Sequence, residues 1–298
     1  MATCPDVGDL PEDYSSLLPK GAGVPQSETS PPGKTWYFPV RLERANPAGV
    51  FVPQHFVFPK KGGTVDVILF FHGSKVGKFS DPPNDNINYY WSNKYEYNRD
   101  TLKLNLREDL NTSRMNAILV APTMGHEPGH GLSENKDLGI FREPGGGDCF
   151  LKHVLAWLGH YDPRFDGLDV GKVVLAGHSG GGSPIHTQMN TMKADICEIW
   201  CFDTVYWLRE DWIRFSTTLG TTHPNSLMTF YNAIQSTDSY NKLQARAQEL
   251  GKEFRAGDKT TSGGKRNMKF VPVRKDHFGA VTDNYLDQLR NSPCLTKV

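Results

Sequence analysis

Val173 to Ile185 reads VVLAGHSGGGSPI, an apolar run that ends in a serine set among glycines. A serine at its ordinary pKa is a weak nucleophile near neutrality, so a hydroxyl displayed this way becomes useful once a base takes its proton. Gly177-His178-Ser179-Gly180-Gly181 has the Gly-x-Ser-x-Gly spacing of a nucleophile elbow, a strained strand-to-helix turn that lifts the serine out of the sheet. Side chains at the flanking glycines would collide with the neighbouring strand or helix. A helix starting just after Ser179 would aim free backbone N–H groups, and its positive dipole end, at a developing oxyanion. Pro184 is compatible with that helix only near its first turn.

Rival readings of the glycines fail on spacing. A dinucleotide loop, Gly-x-Gly-x-x-Gly, needs glycine where Ser179 or Ile185 stands. GSKVGKFS (73–80) is one residue short of a phosphate loop and carries Phe79 where Ser or Thr must hold magnesium. No nucleotide or other cofactor is therefore expected. His126-Glu127-Pro128-Gly129-His130 imitates the zinc motif H-E-x-x-H, yet both histidines reach a metal only from one face of a continuous helix, which Pro128 opposes by roughly 3 kcal/mol. No metal is expected either.

Upstream, VDVILFFHGS ends an apolar strand in His72-Gly73-Ser74. With the elbow, this turn makes the chain resemble the α/β-hydrolase superfamily from about Trp36 to the C-terminus. The resemblance implies an oxyanion hole of backbone N–H groups from Gly180 and from Ser74 or its neighbour Gly73. It also implies a chain order in which the histidine comes last, beyond the eighth strand. MKFVPVRKDHFGAV supplies His277 there, whereas His186 sits on the nucleophile helix, His223 follows the sixth strand, and His72 and His178 are motif neighbours. Two aspartates end strands. Asp238 has the commoner family position after the seventh, while Asp203 directly follows the sixth among bulky apolar residues that would bury a carboxylate needing a histidine partner. Asp203 is favoured. Ser179, His277 and Asp203 would then cleave a carboxylic ester through an acyl-enzyme; the same groups serve amidases, peptidases and thioesterases, and some members of the superfamily only bind ligands.

Eight runs must position these groups: 36–42, 50–58, 65–71, 117–121, 172–176, 196–202, 227–232 and 268–273. The first two alternate in part, as an antiparallel pair does, and the rest are continuous apolar runs typical of buried parallel strands. FLKHVLAWL (150–158) has an apolar helical face, and further helices are expected at 206–215, at 240–250 and from Phe278 to Arg290. Alternating strands and helices imply right-handed crossovers. The expected class is α/β: an α/β-hydrolase fold with a mostly parallel eight-stranded sheet and helices on both faces. Residues 1–34, rich in Pro, Gly and Ser, read as an extended or partly disordered arm; 35–298 form the catalytic domain. Long connections fall at 73–102 and 122–147 and are expected to be functional or disordered.

The 33 basic and 33 acidic residues cancel, which gives no reason to expect a nucleic-acid partner. No apolar segment approaches the roughly 20 residues of a membrane span. The expected partner is a small-molecule or lipid-like ester. Five cysteines, at 4, 149, 197, 201 and 294, form an odd, sparse set that suits a reducing compartment such as the cytoplasm, although Cys4 and Cys294 could pair if the termini meet. Aromatic clusters at 88–97 and 205–215 could wall an acyl pocket or pack as a subsidiary core.

Overall fold

A computed structural model of the protein describes residues 4–8, 32–38, 40, 48–73, 91, 95–97, 100–102, 104–122, 138–205, 210–233, 237–249, 253–254, 268–273 and 276–298. In chain order come β1 (Gly33–Phe38), β2 (Ala48–Pro53), β3 (Thr64–Phe71), the short hairpin β4 (Tyr95–Tyr97) and β5 (Asp100–Leu102), α1 (Leu106–Ser113) and β6 (Ile118–Pro122). Next are α2 (Gly146–Tyr161), β7 (Asp169–His178), α3 (Gly182–Met189), β8 (Asp195–Phe202), α4 (Glu210–Thr222) and β9 (Met228–Asn232). Last are α5 (Thr237–Glu249), β10 (Glu253–Phe254), β11 (Met268–Pro272), α6 (Gly279–Thr282) and α7 (Tyr285–Arg290).

The sheet runs β1-β2-β6-β3-β7-β8-β9-β11-β10. Only the β1–β2 and β2–β6 pairs are antiparallel; the others are parallel. All eight expected strands form, and the two-residue β10 adds an edge to them. Their side chains divide by the two-residue period of a strand. Val67, Leu69, Phe71, Val173 and Leu175 enter one apolar core with α2, α3, α4 and α5. Ile68, Phe70, Val174 and Ala176 enter the other, with α1, α6 and α7. Continuous apolar runs are thus what a sheet buried on both faces requires. The arrangement is the α/β-hydrolase fold, and no helix among the described residues is long and apolar enough to cross a membrane.

Some boundaries differ from expectation for local reasons. β2 ends at Pro53 rather than Phe58 because a turn closes there, with the Phe56 N–H donating to the Pro53 carbonyl at 3.1 Å. The single closing helix is two, α6 and α7, because the Asn284 side chain donates to the carbonyls of Gly279 (3.2 Å) and Ala280 (3.0 Å) and stops the first. α1 was not expected, since LREDLNTS offers only Leu106 and Leu110 to the core. Its Arg107 is buried, donating to the Trp91 carbonyl at 2.9 Å with its guanidinium 5.5 Å from the Trp91 ring.

Where the sparse, odd cysteine count suggests unpaired thiols, the fold pairs four of the five. Cys4 bonds Cys149 on α2, not Cys294, and Cys197 on β8 bonds Cys294. The Cα separations of 5.4 and 5.9 Å lie within the range a disulfide bridges. Cys201 is buried and free. Cys4, Cys149 and His153 lie close enough to hold a metal, but a bonded pair of sulfurs has no thiolate to offer. Of the arm, residues 9–31 lie outside the described residues, as does the His126–His130 motif.

Candidate active site

The elbow forms where the sequence places it. β7 runs to His178, Ser179–Gly181 turn as a 3₁₀ helix, and α3 follows with Pro184 in its first turn. Ser179 has φ +53°, a left-handed conformation that costs a non-glycine residue about 1–2 kcal/mol. The glycines on either side leave room for it. A Cβ at Gly177 would lie 2.9 Å from Ile185 Cδ1 on α3 and 3.1 Å from the Phe71 carbonyl on β3, and one at Gly181 would collide with that same carbonyl.

One strand over, β8 delivers Asp203. Its backbone also turns to positive φ, +52°, while its N–H donates to the Tyr231 carbonyl at 2.7 Å. Among the described residues the only other non-glycine positive φ belongs to Arg114, the left-handed cap of α1. The Asp203 side chain is 0% exposed. Oδ1 accepts the Ala233 N–H at 3.1 Å, and Oδ2 accepts Nδ1–H of His277 at 2.5 Å. That bond fixes the His277 tautomer, leaving Nε2 as the proton acceptor. The His277 side chain is 17% exposed, and its loop is braced by Asp276 Oδ1, which accepts the Gly279 N–H at 2.9 Å.

Asp238 is elsewhere. It lies in the first turn of α5, 80% exposed and paired with Lys242 at 2.7 Å. The rival histidines are also engaged: His186 Nε2 meets Asp211 Oδ2 at 3.1 Å, and His223 Nε2 meets Asp195 at the opposite end of β8 at 2.6 Å. The fold therefore gives the imidazole of His277 to Asp203 and leaves Asp238 to solvent.

A residue that sequence reasoning passed over, His178, joins the elbow to the His277 loop. Its Nε2–H donates to the His277 carbonyl at 3.0 Å, and the two rings lie 4.2 Å apart. Burial, with the adjacent His277 adding to it, pushes the His178 pKa down to about 3. The ring is therefore neutral near pH 7. Its place between the elbow glycine and the serine was visible in the sequence, but its partner was not.

Gly180 sits in the turn after Ser179, half-buried. Ser74 lies outside the described residues; beside it, His72 is buried and its Nδ1–H donates to the Gly73 carbonyl at 2.5 Å. Of the aromatic clusters, Trp91 and Trp212 are core residues, packed against Tyr37 and Phe230 respectively; Tyr89, Tyr90, Tyr206 and Trp207 lie outside the described residues. A cavity of about 740 Å³ opens beside Lys152, Leu155, Asp169 and Val170. Those residues flank the start of β7, at the far end of the strand from Ser179.

No protein-family model matches this sequence, and no curated protein matches it. Solved structures do. The chain is similar to a ferulic acid esterase, with TM-score 0.51 and 10% identity over 87% of this chain and 96% of that one. It is also similar to the fluorophosphonate-binding serine hydrolase F of Staphylococcus aureus, solved with substrate bound, with TM-score 0.50 and 10% identity over 88% of this chain and 100% of that one. At such identity the likeness is one of fold, and the shared fold is that of the α/β-hydrolases.

Proposed function

We propose that the protein is a serine hydrolase that cleaves a carboxylic ester through an acyl-enzyme. Ser179 Oγ attacks the ester carbonyl while His277 Nε2 takes its proton; the N–H groups of Gly180 and Ser74 hold the oxyanion. Collapse of the tetrahedral intermediate expels the alcohol, which leaves with the proton from His277. Water, activated by the same imidazole, then attacks the acyl-enzyme and releases the acid. Asp203 keeps Nδ1 of His277 protonated and stabilises the imidazolium as it forms.

The observation that carries this reading is the fully buried Asp203 carboxylate bonded to Nδ1 of an imidazole whose own loop is held by the residue next to Ser179. A buried aspartate on an imidazole has a ready use in catalysis, and the positive φ at both Ser179 and Asp203 puts backbone strain where such sites store it. The ester preference is supported by the descriptions of the two structural neighbours, an esterase and a serine hydrolase.

Ser179→Ala should lower hydrolysis of p-nitrophenyl acetate by on the order of 10⁴ to 10⁶, the usual cost of losing the nucleophile. Near-native turnover in that variant would overturn the proposal. The same assay with matched amide and thioester substrates should give the ester the highest kcat/KM; a faster amide would make the protein an amidase. Activity should fall on acidification, because a protonated imidazole accepts no proton from Ser179.

A further inference from the structure

We propose that His178 is a positioning residue: its Nε2–H, bonded to the His277 carbonyl, locks the base-bearing loop onto the nucleophile elbow. The inference rests on the triad reading above and extends it to a residue outside the triad.

His277 reaches the site from the segment after β11, and Ser179 from the end of β7; β8 and β9 lie between those two strands, so no strand pairing joins them directly. Asp203 orients the His277 ring through Nδ1 but does so from β8. The bond from His178 to the His277 carbonyl, 3.0 Å, spans 99 positions of sequence and ties the backbone of the base to the residue that precedes the nucleophile. Ring contacts reinforce it: His178 lies 4.2 Å from His277 and 5.3 Å from Phe278, with His277 and Phe278 themselves 5.4 Å apart. A loop displaced by 1 Å can cost about 10²-fold in rate, so a tie of this kind has kinetic weight.

The chemistry also requires this ring to be neutral. During turnover His277 becomes a cation, and a second cation beside it would disfavour that state. Ionisable groups that act on His178 include His277 and Asp203, the residue just beyond β8; His72 directly follows the end of β3, whose last residue pairs with Gly177. His178 is fully buried, which disfavours its protonated form. It can therefore donate a hydrogen bond without competing for the proton that His277 carries.

The test compares His178→Leu, which has no donor, with His178→Gln, whose amide N–H reaches about as far as Nε2. The readout is the rate at which a fluorophosphonate labels Ser179. In that reaction Oγ bonds phosphorus, fluoride leaves and His277 takes the proton, so no natural substrate is needed. We expect His178→Leu to slow labelling at least tenfold, because a looser loop no longer holds His277 against Ser179. KM for p-nitrophenyl acetate should change less than threefold, and His178→Gln should recover labelling to within threefold of wild type. The proposal is overturned if folded His178→Leu labels at the wild-type rate, or if His178→Gln falls as far as His178→Leu. Absence of labelling in the wild type would overturn the triad reading itself, and this proposal with it.

Discussion

β8 and the residue that follows it hold two buried carboxyl groups five positions apart, Glu198 and Asp203, and the fold treats them in opposite ways. Asp203, just beyond the C-terminal end of β8, meets an imidazole N–H and a backbone N–H. Glu198, mid-strand, meets neutral groups: the Ser292 hydroxyl donates to Oε2, the Gln288 amide donates to Oε1 at 3.4 Å, and the backbone of Cys294 also reaches it. Gln288 in turn accepts the Tyr231 hydroxyl at 2.7 Å, and Ser292 Oγ accepts the N–H groups of Cys294 and Leu295. Burial raises the Glu198 pKa to about 8, so that carboxyl is mostly protonated near neutrality. The contrast teaches that burial by itself makes a carboxyl a structural hydrogen-bonding group, whereas burial with a titratable partner makes it available to chemistry.

The largest effect that could break this contrast is on turnover. Asp203→Asn should lower kcat by on the order of 10⁴, because an amide no longer enforces the productive His277 tautomer. In the same ester assay Glu198→Gln should remain within threefold of wild type. Equal losses in the two variants would erase the distinction.

A smaller effect concerns stability. The folded state holds the Glu198 proton up to about pH 8, while the unfolded chain releases it near 4.5. The contribution of this group is thus complete below about pH 4.5 and is lost as pH rises towards 8. Glu198→Gln does not titrate, so its Tm relative to wild type should climb steadily from pH 4.5 to 8 in thermal unfolding curves. Parallel Tm profiles would place the Glu198 carboxyl outside this account. The smallest effect is expected of Asp238→Asn, which removes only an exposed pair with Lys242. Its turnover and Tm should match wild type, since exposed pairs contribute about 0–1 kcal/mol.

The strands were legible in the sequence because a sheet covered on both faces demands unbroken runs such as VVLA and ILVA. The elbow was legible because its glycines answer a steric demand that β3 and α3 impose locally. α1 was hidden, since two leucines among polar residues make a weak periodic signal, and part of its buried surface is the unexpected Arg107. Both Asp203 and Asp238 follow strands, and only the apolar neighbours of Asp203 favour it in the sequence; what decides between them is the bond to His277, 74 positions away. The cysteine pairs and the His178 bond join segments 97 to 145 positions apart, and local composition carries no record of such contacts.

The central claim is that Ser179 is a nucleophile activated by His277. Peptide mapping by mass spectrometry after brief exposure to a fluorophosphonate tests it most directly. The account predicts a single adduct, on Ser179, in the wild type and almost none in His277→Ala. An adduct on another residue, or equal labelling of Ser179 in both proteins, would contradict it.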